Sequence, residues 1–209
     1  MQAGRFEMWR GWFLAGGALI AVGGPRHPGG SMLEMLSHPD WFMAHALVML
    51  GYGALLTGLL LFARTPANVP ALRRWTKLAI AGTGLMTLEM AVHTAAMVDA
   101  GHLAAGHSTP VLTTHLAMSV LFYPIFGITS ALFMIAAARR RAIGSPAFAW
   151  LGVAGTLCNG IAPILVGVFG MMQARILFAF VMGVALWMVL AAVWPSRVAA
   201  PAVTAPRAV

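Results

Sequence analysis

Apolar residues in this chain come in six long runs, and the short segments between them hold most of the charged residues. A transmembrane helix needs about 20 mainly apolar residues to cross the hydrocarbon core of a bilayer. The pattern therefore predicts an all-α integral membrane protein that folds as a bundle of six transmembrane helices. The predicted helices cover residues 8–24, 41–62, 78–98, 111–138, 148–170 and 176–194.

The first run is short and glycine-rich, and two basic residues, Arg5 and Arg10, lie at its start. Basic residues before a short apolar core are also typical of a signal peptide. However, no small-x-small cleavage site follows the run, and Glu7 is out of place in such a segment. We therefore expect a retained first helix, and the bundle has five helices if the segment is cleaved.

Composition supports the membrane interpretation. Of the 209 residues, 60% are hydrophobic and only 9% are charged, whereas a soluble domain has roughly 25% charged residues. The net charge of +8 does not indicate a nucleic-acid partner, because the basic residues cluster in short loops between apolar runs. The single cysteine, Cys158, excludes a disulfide framework within one chain. The lipid bilayer is thus the predicted main partner.

The basic residues also predict an orientation. All but two of the 13 lysines and arginines fall in segments on one side of the predicted membrane, and only Arg26 and Arg175 fall on the other. The positive-inside rule then places both termini in the cytoplasm of a bacterial-type inner membrane. Residues 1–197 are expected to form one polytopic membrane domain. The Pro- and Ala-rich residues 198–209 are expected to be a disordered cytoplasmic tail.

With this orientation all seven histidines face the outer side of the membrane. His45, His93 and His115 fall within three consecutive predicted helices, each roughly 6–8 Å below the outer boundary at 1.5 Å per residue. Glu89 lies one turn deeper than His93 on the same helix face. Ionisable groups inside a bilayer are costly and usually mark a cofactor, ligand or proton site. We expect the four loop histidines, His27 among them, to be solvated.

Three hypotheses account for this layer of histidines, and from the sequence we favour a b-type haem. Two of the three imidazoles would be axial ligands in the apolar slot of a bundle. The third, with Arg26 or Arg175, would hold the propionates, and Glu89 or Tyr52 would serve proton or quinone chemistry. The protein would then be a membrane oxidoreductase that exchanges electrons with quinone or another redox protein.

The second hypothesis is a non-haem metal site, in which His45, His93, His115 and Glu89 bind a copper, zinc or iron ion. The protein would then be a metal-dependent membrane enzyme or a metal-handling protein. The third is a cofactor-free membrane subunit or transporter whose histidines are structural or relay protons. Spacing cannot separate the first two, because haem iron and bare ions accept the same imidazoles. A homo- or hetero-oligomer stays open in every case.

Overall fold

A computed structural model describes residues 7–194 of the chain. The described residues are 84% helix and contain no strand. The predicted tail at 198–209 lies outside this range. Eight α-helices are described, two of them short: α1 (Met8–Gly23), α2 (Met32–Leu36), α3 (Asp40–Phe62), α4 (Pro70–Ala95), α5 (Ala100–Ala104), α6 (Pro110–Arg139), α7 (Pro146–Pro163) and α8 (Val181–Val193).

The sequence fixes several helix starts through local chemistry. Pro70, Pro110 and Pro146 each occupy the first turn of a long helix, where the fixed φ suits the helix and the missing N–H is not needed. The buried Asp99 carboxylate also accepts a hydrogen bond from the main-chain N–H of Leu112, at 2.8 Å, in the first turn of α6. This cap holds the start of α6 against the segment that follows α4.

The six long helices pack in a closed ring that follows their order in the chain. Helix α1 contacts α3, and the contacts continue through α4, α6, α7 and α8, which returns to α1. Arg10 helps to close the ring, because its guanidinium donates to the main-chain carbonyls of Ala192 at 3.1 Å and Trp194 at 2.6 Å. Consecutive long helices are therefore neighbours that run in opposite directions.

Within residues 7–194, four helical segments are long and apolar enough to cross a membrane: Asp40–Phe62, Pro110–Arg139, Pro146–Val168 and Met172–Val193. The other two long helices differ for physical reasons. Helix α1 has only 16 residues, and the apolar run of the 26-residue α4 is interrupted by Glu89 and His93. The protein is therefore a membrane-embedded helical bundle with four helices of spanning length and composition.

The last two predicted helices are less regular than the sequence pattern suggests. Helix α7 ends at Pro163, and a π-helical turn, Ile164–Val168, follows it. Proline lacks an N–H and displaces the carbonyl four residues earlier, which disrupts the α-helical ladder. A 3₁₀ segment, Met172–Phe180, then precedes α8. Asn159 ties the two segments together by donating to the main-chain carbonyl of Phe178 at 3.3 Å.

Backbone contact between α7 and α8 depends on glycine. A Cβ atom added at Gly155 would lie 2.7 Å from the main-chain nitrogen of Val184, and one added at Gly183 would lie 2.9 Å from the carbonyl oxygen of Leu151. By contrast, a Cβ atom added at Gly84 in α4 would meet open space. Small residues in a membrane bundle allow backbones to approach in this way.

Candidate metal centre

The three intramembrane histidines meet at one end of the ring of helices, where their imidazoles form a column. The ring centroids of His45 and His93 are 4.3 Å apart, and those of His93 and His115 are 3.8 Å apart. The interplanar angles are 36° and 31°. His45 and His115 are 2% and 7% exposed. The structure thus brings together the three residues that the sequence placed at one depth.

Helix direction explains this convergence. His45 lies near the start of α3, His93 near the end of α4 and His115 near the start of α6. Because these helices are antiparallel neighbours, all three positions fall at the same end of the bundle. The basic residues Arg73 and Arg139 lie at the opposite ends of α4 and α6. The site is therefore separated from the basic end by the length of the helices.

Trp41 supports the column from one side. Its ring lies 4.1 Å from the His45 ring and 5.3 Å from the His93 ring, and its indole N–H donates to the Thr94 carbonyl at 3.3 Å. Trp41 was not among the site residues predicted from the sequence. Its position one helical turn before His45, on the same face, is the signal that places it there.

His27 is a second site residue that sequence reasoning missed. Its ring centroid is 4.7 Å from that of His45 and 6.4 Å from that of His93. It follows the 3₁₀ turn Gly24–Arg26 at the end of α1, and part of the residue is exposed. Burial of the ring among its neighbours lowers the pKa of His27 below 6.5, which favours a neutral imidazole. The flanking Pro25 and Pro28 are the sequence signal for a rigid position.

Two of the histidines donate a ring N–H to a main-chain carbonyl, as metal-binding histidines commonly do. Nδ1 of His45 lies 2.6 Å from the Trp41 carbonyl oxygen, and Nδ1 of His27 lies 2.8 Å from that of Pro28. A carbonyl oxygen only accepts, so Nδ1 must carry the proton and Nε2 must carry the lone pair. Metal-binding histidines almost always donate their other ring N–H to a carbonyl, carboxylate or water.

Glu89 lies deeper than the rings and is 0% exposed. Its Oε1 is 2.6 Å from Nδ1 of His115 and 3.8 Å from Nδ1 of His93. The shorter contact is a hydrogen bond in which the His115 N–H donates to the carboxylate. Such charge-assisted bonds are short and about twice as strong as neutral ones.

Buried polar atoms without a hydrogen-bond partner concentrate around this cluster. Within residues 7–194 they include His45 Nε2, His93 Nδ1, Glu89 Oε2 and the hydroxyl of Tyr52. Each such atom costs about 1–3 kcal/mol when it is left unsatisfied, so native structures rarely keep several together without a reason. Three of the four are atoms that bind metal ions.

Two groups of side chains have the spacing for an ion. One is His27, His45 and His93, and the other is Glu89, His93 and His115; in each group the ligand atoms lie within 4.8 Å of one another. Zinc–nitrogen bonds are about 2.0–2.1 Å long, so small side-chain shifts would be enough for the ligand atoms of either group to reach one ion. His93 belongs to both groups.

The three other predicted site residues have described hydrogen bonds or ring contacts with groups outside the column. Arg26 donates to the carbonyl of Val22 at 2.8 Å, and Arg175 donates to the carbonyl of Gly30 at 3.2 Å. The described contacts of both arginines are thus with the main chain. Tyr52 is fully buried, and its ring packs edge-on against Phe126 at 5.1 Å.

The arrangement gives the haem hypothesis no direct support. Axial ligation places the porphyrin plane between two imidazoles. Here His93 contacts the rings of both His45 and His115 at ordinary van der Waals separation. In the described structure these rings are stacked, with no open slot between them.

No protein-family model matches the chain, and no curated protein or solved structure shows significant similarity to it. The functional argument therefore depends on the geometry of the site.

Proposed function

We propose that this protein is a membrane metalloprotein that binds a divalent transition-metal ion through Glu89, His93 and His115. The observation that carries the proposal is the group of buried, unpartnered ligand atoms on His45, His93 and Glu89, described within residues 7–194. An ion bound by Glu89, His93 and His115 satisfies two of these atoms, His93 Nδ1 and Glu89 Oε2, at once. A bound ion also explains why α4 contains Glu89 and His93, although these two residues lower the mean hydropathy of the helix.

The membrane topology is part of the proposal. The 16 residues of α1 span about 24 Å at 1.5 Å per residue, and the three residues of the following 3₁₀ turn add about 6 Å. The sum matches a hydrocarbon core of about 30 Å. With α4 packed between α3 and α6, all six long helices cross the bilayer. The positive-inside rule then puts the metal site near the outer face and the termini in the cytoplasm.

The ligand types narrow the choice of metal. Several imidazoles with one carboxylate suit zinc, copper and iron, whereas magnesium and calcium prefer oxygen ligands. The buried carboxylate offsets part of the charge of a divalent ion inside the bilayer. The same site serves a metal-dependent membrane enzyme or a metal-handling protein.

The test is the metal content of the full chain, purified in mild detergent with a histidine-free affinity tag. The protein is stripped with EDTA and reloaded separately with Zn²⁺, Cu²⁺ and, without oxygen, Fe²⁺. We expect at least one ion per chain for one of these metals, with a clear loss in His115→Ala and Glu89→Ala. His102→Ala is the matched control, because His102 is exposed and its described ring contact is with His107, at 6.1 Å.

Two results would overturn the proposal. The first is less than about a tenth of an ion per chain with all three metals. The second is equal binding by the wild type and both site variants. Size-exclusion profiles that match the wild type establish that the variants are folded.

One observation favours a second candidate, a metal-free proton relay. The 2.6 Å contact between Glu89 and His115 is a carboxylate–imidazole pair that can hold and pass a proton without any metal. This alternative predicts that the wild type binds no more metal than His115→Ala or Glu89→Ala does. It also predicts that Glu89→Gln changes proton flux across proteoliposomes rather than metal content.

A further inference from the structure

We propose that the site holds two metal ions, with the His93 imidazole shared between them. The inner subsite is the one already proposed, formed by Glu89, His93 and His115. The outer subsite is formed by His27, His45 and His93. This inference rests on the proposed function, because it assumes that the cluster binds metal at all.

The outer subsite is supported by the orientation of its two unshared ligands. His27 and His45 each donate Nδ1–H to a main-chain carbonyl, so Nε2 of each ring is left as an acceptor. Neither carbonyl belongs to the inner subsite, so these two rings are oriented independently of Glu89. His45 Nε2 is buried and has no partner among the described residues. An acceptor in this position needs a proton donor or a metal ion.

His93 lies between the two subsites. Its ring packs against His45 on one side and against His115 on the other. Its Nδ1 is 3.8 Å from Glu89 Oε1, which assigns Nδ1 to the inner subsite and leaves Nε2 for the outer one. A neutral imidazole has only one lone pair. Binding the second ion therefore releases the remaining ring proton to solvent and leaves an imidazolate bridge, in line with proton release on metal binding.

The two subsites also differ in access. His27 is partly exposed at the end of α1, whereas Glu89 is fully buried. Ions therefore reach the outer subsite first, and the inner subsite is filled through it or after it. A shared ligand provides a short route between the two positions.

The experiment is a Zn²⁺ titration of the EDTA-stripped full chain by calorimetry and elemental analysis. We expect two ions per wild-type chain and one ion per chain in His27→Ala. The second variant is His45→Asn, because the asparagine amide can still donate to the Trp41 carbonyl while the Nε2 ligand atom is lost. It is also expected to bind one ion. His102→Ala keeps two.

A Cu²⁺-loaded sample gives an independent readout. Two Cu²⁺ ions joined by one imidazolate couple magnetically, so the wild type at full loading should show much less electron paramagnetic resonance intensity than its copper content predicts. His27→Ala should bind half the copper and show the full intensity of an isolated ion. Full intensity in the fully loaded wild type overturns the bridge.

The outcomes separate this inference from the proposed function. One ion per wild-type chain that is retained in His27→Ala and lost in His115→Ala overturns the second subsite and leaves the proposed function intact. No ion in the wild type overturns both. One ion that is lost in His27→Ala and kept in His115→Ala overturns the shared centre and moves the single site outward.

Discussion

Replacing Glu89 by glutamine isolates the contribution of its charge to metal binding. Glutamine has nearly the same shape, so its carbonyl oxygen can still accept the His115 N–H that now lies 2.6 Å from the carboxylate. The bond becomes a neutral one, which is about half as strong. Replacing a carboxylate that hydrogen-bonds a metal-binding histidine typically lowers metal affinity by about 10–100-fold. We expect a loss within that range.

The expected effect on stability follows from mass action. At a free Zn²⁺ concentration 100 times the wild-type Kd, binding stabilises the folded wild type by about 2.7 kcal/mol. A variant with a Kd raised 10–100-fold gains only about 0.4–1.4 kcal/mol at the same concentration. For a chain of this size these values correspond to a rise in Tm of about 5–11 °C for the wild type and about 1–6 °C for Glu89→Gln.

The assay is thermal unfolding of the detergent-solubilised chain, with and without Zn²⁺. Thr83→Val is the matched control, because Thr83 is a fully buried polar residue on the same helix, nearly two turns from Glu89. It should keep the wild-type increase in Tm. The reasoning is refuted if Zn²⁺ raises the Tm of Glu89→Gln as much as it raises the Tm of the wild type. It is also refuted if the two proteins differ in Tm without Zn²⁺ but have the same Tm with it.

Three further predictions concern the scaffold, and thermal unfolding in detergent measures each one. Asp99→Ala removes the cap of α6 and should cost about 1 kcal/mol, whereas Asp99→Asn keeps an acceptor and should cost less; equal losses would contradict the capping role. Gly155→Ala forces a Cβ into the backbone of α8 and should lower the free energy of unfolding by about 1–3 kcal/mol. In Gly84→Ala the added Cβ meets open space, so that variant should be neutral or stabilising. Similar effects at both positions would show that the contact between α7 and α8 is not tight. Arg10→Ala removes the charged donor at the end of α8 and should cost about 1.5–3 kcal/mol, against no measurable loss in Arg74→Ala.

The depth of the site was predictable from the sequence, but its shape was not. Helix rise is constant, so the distance of His45, His93 and His115 from the helix ends gives their level once the helices are known. Helix rise therefore predicts only how deep each histidine lies in the bundle. Whether rings at one height stack or leave a slot depends on helix rotation and spacing, which the apolar pattern of a lipid-exposed helix specifies weakly. The haem hypothesis assumed a slot, and the stacked rings do not provide one.

His27 was missed for a related reason. The depth argument counts only residues within the apolar runs, and His27 lies after the first run. The 3₁₀ turn at Gly24–Arg26 brings the following residues onto the end of α3, and no periodicity predicts such a turn. Likewise, Pro163 in the sequence indicates a disturbed helix at that position. The length of the irregular segment that follows, up to the start of α8, depends on how α7 and α8 pack.

The order of helices around the ring has a consequence for biosynthesis. Every ligand candidate belongs to the first 115 residues, on or next to α1, α3, α4 and α6. These helices leave the ribosome before α7 and α8, and domains generally form from the N-terminal side during synthesis. The proposed metal centre therefore needs no residue of α7 or α8, and its ligand groups can come together before these two helices pack. Docking of α8 against Arg10 then closes the ring of helices.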